Sequence, residues 1–358
     1  MIKSVYISND IMVKGLPATA GSKALAGFAA PFSATTVERL RAAGIEAKHT
    51  PVGVAGFPSD PPAVGGARPV CDLQVTEFSF YDFLDDNGIA LPQDAPTLCN
   101  DYCGAHKFFA AKNRMVYLHP TYGRVSRFGL IQAVSSMDQI GIAGKDVTQV
   151  FRTLEIISGR DERDIATFDE KYKIEEYDVA EIPAVIGSTS TYPFLDTAAA
   201  VHFILSAAEF SNNVSRYDGV KFGCRSKNYK SLEQLYLNSR GEGFGTFIKT
   251  AVIAGTALLS KDYYADYYEK ALRLRRHIKN ETESLLGKYA VIALTFDIHK
   301  EFDFESAGLF SLPALTGLPA LSLYNGDGQG LLLIARPRAE NDLLAMALAL
   351  NMGDGEVD

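Results

Sequence analysis

Three short apolar runs near the C-terminal end, Val291 to Phe296, Ala320 to Tyr324 and Leu331 to Ile334, are each bounded by turn-forming residues. Runs of this kind suit buried strands, and buried strands need helices to cover them. The earlier chain supplies both. Ser4 to Ile7, Met115 to Leu118 and Tyr217 to Gly223, the last followed by a turn, read as further strands. Thr35 to Ala43 reads as a helix, with Thr35 and Glu38 at capping-box spacing and Gly44 as its stop. Asp146 to Ser158 reads as a second, capped by Asp146 and Gln149 and ended by Gly159. Leu232 to Tyr236, Gly245 to Ala254, Ser260 to Leu286 and Asn341 to Asn351 read as the others. Gly53 to Pro69 reads as irregular loop and Arg160 to Asp169 as a solvated connection. Phe78 to Asp86 is aromatic and acidic and is assigned to no element. The alternation of strands and helices predicts one α/β unit, a sheet with helices on both faces. With no internal repeat and no clear linker, residues 1–358 are expected to form a single domain.

Composition narrows the class. Net charge is −8, from 43 acidic and 35 basic residues, which argues against a surface built for direct contact with nucleic acid. No apolar run is long enough to span a bilayer, and MIKSVYISND has no apolar signal core. The four cysteines, Cys71, Cys99, Cys103 and Cys224, are too few for a disulfide framework in a chain this long. The expectation is a cytoplasmic protein with free thiols, without membrane contact.

HPTYGRVSRFGL (His119 to Leu130) and SSMDQIG (Ser135 to Gly141) resemble the amidase signature family. Within it the chain looks most like the glutaminase A subunits of glutamyl-tRNA(Gln)/aspartyl-tRNA(Asn) amidotransferases. VKGLPATAGSKAL, PFSATTVERLRAAG, ISGRDERD, RYDGVKFG, SRGEGFG, LSKDYYADYYEKALRLR, LPALTGLPALSL and IARPRAENDLL agree with it in the same order. The resemblance covers most of the chain from Asn9 onward and is weak between Ile45 and Leu118. It implies an amidase-signature fold, a mixed twisted β-sheet flanked by helices on both faces. It also implies that the family's N-terminal helical extension is missing before Ser8, leaving a face open as an interface.

The family hydrolyses amides with a serine nucleophile, a bridging serine and a lysine base, and with backbone N–H groups that stabilise the oxyanion. A hydroxyl is a weak nucleophile and needs a base, and a lysine can serve only when neutral. Counting back from Pro120 lays the family's nucleophile motif on CNDYCGAHK, Cys99 to Lys107. Asp101 and Gly104 are retained, Ala105 stands at the nucleophile and Lys107 at the motif arginine. The lysine of a KDNI-like segment falls on Ser8; Lys14 is no substitute, because the family carries a lysine there too. No Gly/Ser-rich loop for the bridging serine is present. Two glutamine contacts fall on Ala251, within Thr250 to Val252, and on Gly308.

Cys99, Cys103 and His106 offer a rebuilt cysteine or metal site, since a thiolate at a helix start is stabilised. Against this, C-x3-C-x2-H is not a zinc signature and no fourth ligand is evident, so small residues filling vacated glycine space is the preferred reading and no metal or cofactor is expected. Asp101 is expected to cap nearby N–H groups, His119 to lie at the surface or a strand end, and Ser126 to be structural. His277 and His299 have no partner visible in the sequence. Arg273, Arg275, Arg276 and Lys279 are expected to form a solvated helix face with Glu281 and Glu283, with a docking surface as the alternative. Phe108 and Phe109 are expected to close the old pocket. The functional expectation is a catalytically inactive amidase-like protein that binds or assembles, as a homo-oligomer or with a hetero-partner. The alternatives are a hydrolase or amidotransferase rebuilt on Cys and His, and a small-molecule sensor using the old cavity.

Overall fold

In the computed structural model, residues 2–49, 94–175, 184–187, 192, 194–300 and 302–353 are described. Nine strands form one sheet: β1 (Ser4–Ile7), β2 (Glu46–His49), β3 (Thr97–Asn100), β4 (Val116–His119), β5 (Ile140–Gly144), β6 (Ala184–Gly187), β7 (Val291–Asp297), β8 (Ala320–Tyr324) and β9 (Gln329–Ala335). Their order is β2-β1-β3-β5-β4-β8-β9-β7-β6. Strand β1 runs parallel to β2 and β3, and β6 runs parallel to β7; the pairings from β3 through β5, β4, β8 and β9 to β7 are antiparallel. The sheet is therefore mixed.

Side chains of a strand alternate between its faces, and the two apolar cores divide on that period. Val5, Ile7, Leu98, Leu118, Ile142, Leu321 and Leu333 enter one core, which α1 (Thr35–Ala42), α3 (Val147–Ile157) and α9 (Glu340–Gly353) cover. Cys99, Tyr117, Ala143, Ile292, Leu332 and Ile334 enter the other. There α2 (Ala105–Lys112) lies on the sheet, and α4 (Leu195–Val214), α6 (Thr246–Leu258), α7 (Glu269–Leu286) and α8 (Phe304–Thr316) pack around α4. Helix α5 (Leu232–Gly243) packs on the short turn at Lys23–Leu25. Helices thus cover both faces, as expected. No helix among the described residues is long and apolar enough to cross a membrane.

Several local expectations are corrected. The capping box of α1 does not form: Ala34 is the N-cap, the Thr35 hydroxyl donates to Asp161, and Glu38 receives Arg163 at 2.7 Å. A tertiary carboxylate has taken the hydroxyl that the local motif would use. Arg160 to Asp169 is consequently tethered, with Asp161 buried and Asp164 accepting from the Arg127 backbone at 2.9 Å. Tyr217 to Gly223 is a turn and not a strand, because Asp218 accepts from the N–H groups of Val220 and Lys221 and both Gly219 and Gly223 have positive φ. The long helix read from Ser260 starts with a π turn at Tyr264–Tyr268 before α7 begins. The α3 cap is as expected, with Asp146 accepting from Gln149 N at 3.2 Å. Gly53 to Pro69, Cys71 and Phe78 to Asp86 lie outside the described residues.

Candidate functional site

Strand β3 ends at Asn100 and the chain turns through Gly104 into α2. Gly104 has φ +88°, and a Cβ there would meet Phe310 Cβ at 2.3 Å and its carbonyl oxygen at 2.6 Å. Only glycine lets α2 start this close to α8. Asp101 caps the helix, accepting from the backbone N–H groups of His106 and Lys107, each at 3.2 Å. The same carboxylate takes the Lys107 ammonium at 2.9 Å and has His106 Nδ1 at 3.5 Å, all three side chains being buried. Burial alone would raise the Asp101 carboxyl; Lys107 and the His106 contacts outweigh it and hold it well below the usual range. Asp101 is therefore the cap that the sequence suggests and also the counter-ion of a buried lysine.

Beside this cap, Asn100 donates to Asp138 at 2.8 Å, and Asp138 accepts from Ala133 N and Val134 N at 2.9 Å each. The SSMDQIG segment is thereby locked to the end of β3. From the other side come Ser8 and Asp10, just past β1. The Ser8 hydroxyl donates to Asp10, and burial raises the Asp10 carboxyl to about 6 against the opposing pull of that hydrogen bond and of His106. Tyr117 and His119 share one face of β4 with this cluster; the Tyr117 hydroxyl donates to the Cys99 carbonyl at 3.4 Å. His119 is the last residue of β4, the strand-end position of the two expected from sequence, and it is fully buried rather than at the surface, because it lies two residues from Tyr117 and the strand period turns it inward. Burial lowers its imidazole well below the ordinary value, with Lys107 acting in the same direction. Among the described residues, Asp10 Oδ2, Asn9 Oδ1 and both ring nitrogens of His106 and His119 are buried without a hydrogen bond.

The structure brings Ser8, Cys99, Asp101, Cys103, Ala105, His106 and Lys107 to one buried region on the α2 face. Cys99 and Cys103 are buried. Desolvation, with Asp101 nearby, pushes the Cys103 thiol up to about 12 and the Cys99 thiol well above its ordinary value. The helix start does not activate them, because burial and the neighbouring carboxylate outweigh the peptide dipoles. Among the described residues no group of three or more histidine, cysteine, aspartate or glutamate side chains is arranged to hold a metal. Ala105 presents a buried methyl group at the start of α2.

Past Lys107, Phe108 and Phe109 are buried as expected. Phe108 packs against Phe109, Phe296, Phe302 and Phe310 with ring centroids 5.3–6.1 Å apart. Ala251 is buried in α6. Gly308 in α8 presses on α4 so closely that a Cβ would stand 2.4 Å from the Leu195 carbonyl oxygen. A carboxylate side chain at 308 has no room in this packing. Sequence reasoning passed over Asp10 and Tyr117 and did not join His119 to this site; for Tyr117 and His119 the signal is the period-two alternation along β4, whereas Asp10 lies just past β1 and carries no such signal.

The amidase family model matches residues 98–183 and 188–343. The chain belongs to the amidase family. It is similar to the A subunit of the glutamyl-tRNA(Gln) amidotransferase of Symbiobacterium thermophilum, 30% identical over 398 residues, spanning 96% of this chain and 81% of that relative. The corresponding A subunit of Clostridium kluyveri is 29% identical over 381 residues, 91% of this chain and 76% of the relative. The fold is similar to the crystal structure of the glutamyl-tRNA(Gln) amidotransferase A subunit from Thermotoga maritima. The TM-score is 0.72 at 22% identity, over 99% of this chain and 84% of that one. This likeness establishes the amidase-signature fold.

Ser126 is structural, donating to Asp161 at 2.6 Å and accepting from Phe128 N at 3.1 Å. The α7 cations divide in a way the sequence did not suggest. Arg273 pairs with Glu269 and Lys279 lies 3.8 Å from Glu283, as on a solvated face. Arg275 is instead drawn into the protein by carbonyl acceptors at the end of α8 and by Ser136. His277 packs edge-on against Phe194, and His299 is exposed.

Proposed function

We propose that this amidase-family chain no longer hydrolyses amides and works as a single-domain binding or assembly protein in the cytoplasm. The observation that carries this reading is Ala105. At the position the family gives to its nucleophile stands a methyl group, buried at the start of α2. The position of the lysine base is Ser8, whose proton is directed to Asp10. Lys107 offers no replacement base, because its ammonium is held in a buried ion pair with Asp101. The substrate positions at Lys107, Ala251 and Gly308 are likewise filled by an ion pair, a small apolar side chain and a helix contact. A site without nucleophile and base retains only what surrounding dipoles contribute. The relatives named as amidotransferase A subunits supply the partner class: a subunit implies other subunits, so a hetero-partner protein, or a second copy of this chain, is the binding target. Direct contact with nucleic acid or membrane is not part of the reading.

The rebuilt Cys/His reading is disfavoured by the raised thiols. The sensor reading draws on one observation, the buried polar atoms of Asp10, His106 and His119 that make no hydrogen bond among the described residues. Such atoms are satisfied by a small polar guest or water. Ammonia release from glutamine, beside a heat-killed control, tests the main reading. Light scattering at micromolar concentration, with a pull-down from native lysate, tests assembly. Hydrolysis above the control, abolished by substitutions around Ala105, would overturn the first; a strict monomer without partner would overturn the second.

A further inference from the structure

Away from Ala105, a cleft of about 550 Å³ opens between α7, the end of α8 and the turns that follow β4 and β9. Its α7 wall carries Arg275, Arg276 and Lys279. Lys279 lies four residues past Arg275 and three past Arg276, so it neighbours each of them on the helix surface. They differ in how they are held. Arg275 is fixed: its guanidinium donates to the Leu315 carbonyl at 2.8 Å, the Ser136 hydroxyl at 2.7 Å and the Ser136 carbonyl at 3.0 Å. None of these acceptors is charged. The Glu209 carboxylate that faces this group is itself occupied by Ser136, accepting from its N–H at 2.8 Å. Arg276 is exposed and makes no ion pair or hydrogen bond among the described residues. Among the described residues Lys279 has only Glu283, 3.8 Å away and similarly exposed, a contact of small energetic value.

The rest of the lining is mostly apolar, with Thr121, Ser136 and Thr316 as its polar members. Leu272 projects from α7, and Phe168 and Tyr122 line the cleft. The two rings are braced by guanidinium groups, Arg338 at 4.2 Å from Phe168 and Arg127 at 4.7 Å from Tyr122. In a chain of net charge −8, this is a concave cationic site with an apolar floor. Concave sites of one sign focus the field on an oppositely charged guest. The volume lies in the range of small-molecule pockets.

We propose that this cleft binds a small molecule bearing a phosphoryl-type dianion on an apolar body. Two side chains remain available to turn toward the guest, and their charges match a dianion. Arg276 supplies a fork of donors and Lys279 a compact charge, while Arg275 adds a fixed positive background. The apolar body lies against Leu272 and the braced rings. The site is separate from the buried cluster around Ala105 and does not depend on the loss of hydrolysis. It is linked to that cluster through one segment, because the Ser136 turn gripped by Arg275 continues to Asp138, which holds the end of β3.

Isothermal titration calorimetry of the full chain with phenyl phosphate tests the proposal, with benzoate and phenol as the carboxylate and neutral comparisons. Saturable binding of phenyl phosphate is expected, with benzoate and phenol each weaker by roughly tenfold or more. The double variant Arg276→Glu/Lys279→Glu is expected to weaken phenyl phosphate by at least about tenfold. Both residues are on the surface, so its thermal unfolding should match that of the parent; Arg276→Gln alone should give an intermediate loss. Absence of saturable binding, equal binding by the double variant, or benzoate or phenol binding as tightly as phenyl phosphate overturns it.

Discussion

Replacing Lys107 with methionine removes the only ammonium that touches the buried Asp101 carboxylate among the described residues, while keeping the length of the side chain. Lys107 Nζ lies 2.9 Å from Asp101 Oδ2, and both side chains are fully buried. Breaking a pair of this kind by deleting one partner costs about 3–5 kcal/mol, because the remaining charge is left in a poor solvent. Asp101 keeps its two backbone N–H donors at 3.2 Å, which places the expected loss toward the lower end. For a chain of this size such a loss lowers the unfolding midpoint by roughly 5 °C. The pH dependence has a definite sign. In the parent the Asp101 carboxyl is held below its unfolded value, so its stabilisation is present above the unfolded pKa and lost as pH falls toward the folded one. The difference between parent and Lys107→Met should therefore be full at pH 7 and shrink below about pH 4. Urea unfolding followed by circular dichroism at both pH values measures it. A loss under about 1 kcal/mol at pH 7, or one that does not shrink in acid, would show that the pair does not hold this region together.

Gly104→Ala should cost more than about 2 kcal/mol, since its Cβ meets Phe310 and the backbone has positive φ; urea midpoints measure this, and a neutral result contradicts the close packing of α2 on α8. Cys103 should react with iodoacetamide at pH 7.5 far more slowly than a free thiol, because its pKa is pushed up to about 12; mass spectrometry of native protein reports the rate. Asp10, raised to about 6, favours the fold when protonated, so its contribution is complete below the unfolded pKa and is lost as pH rises through about 6. Asp10→Asn should accordingly lose less stability than the parent between pH 4 and pH 7, as measured by denaturant midpoints at each pH.

Much of the sheet was legible because its strands are short apolar runs with clear stops; Ala320–Tyr324 and Ser4–Ile7 have the bounds read from sequence. Two central helices were not. Helix α4 packs against α6, α7 and α8 and is buried on several sides, so it carries no single apolar stripe to reveal the helical period. Helix α8 contains Pro313 and Gly308, which read as breakers although the fold uses them inside a helix. The candidate site was found by counting from motifs, which locates positions along the chain but not the side chains that meet them from other strands. His119 shows the difference. It read as a surface or strand-end residue; it does end β4, and its alternation with Leu118, which enters the opposite core, turns it inward beside Lys107 and Asp101. The dual use of Asp101, as cap and counter-ion, needed the helix to be folded before Lys107 could be seen to reach it.

The central claim is that the old catalytic position no longer supports amide hydrolysis. Glutamine turnover by the purified full chain, followed as ammonia release and compared with Ala105→Ser, tests it most directly. The account predicts no release above a heat-killed control from either protein, because restoring a hydroxyl at 105 does not restore a base at Ser8. Steady release by the parent, abolished by a substitution at Ser8, Asp101 or Lys107, would contradict it.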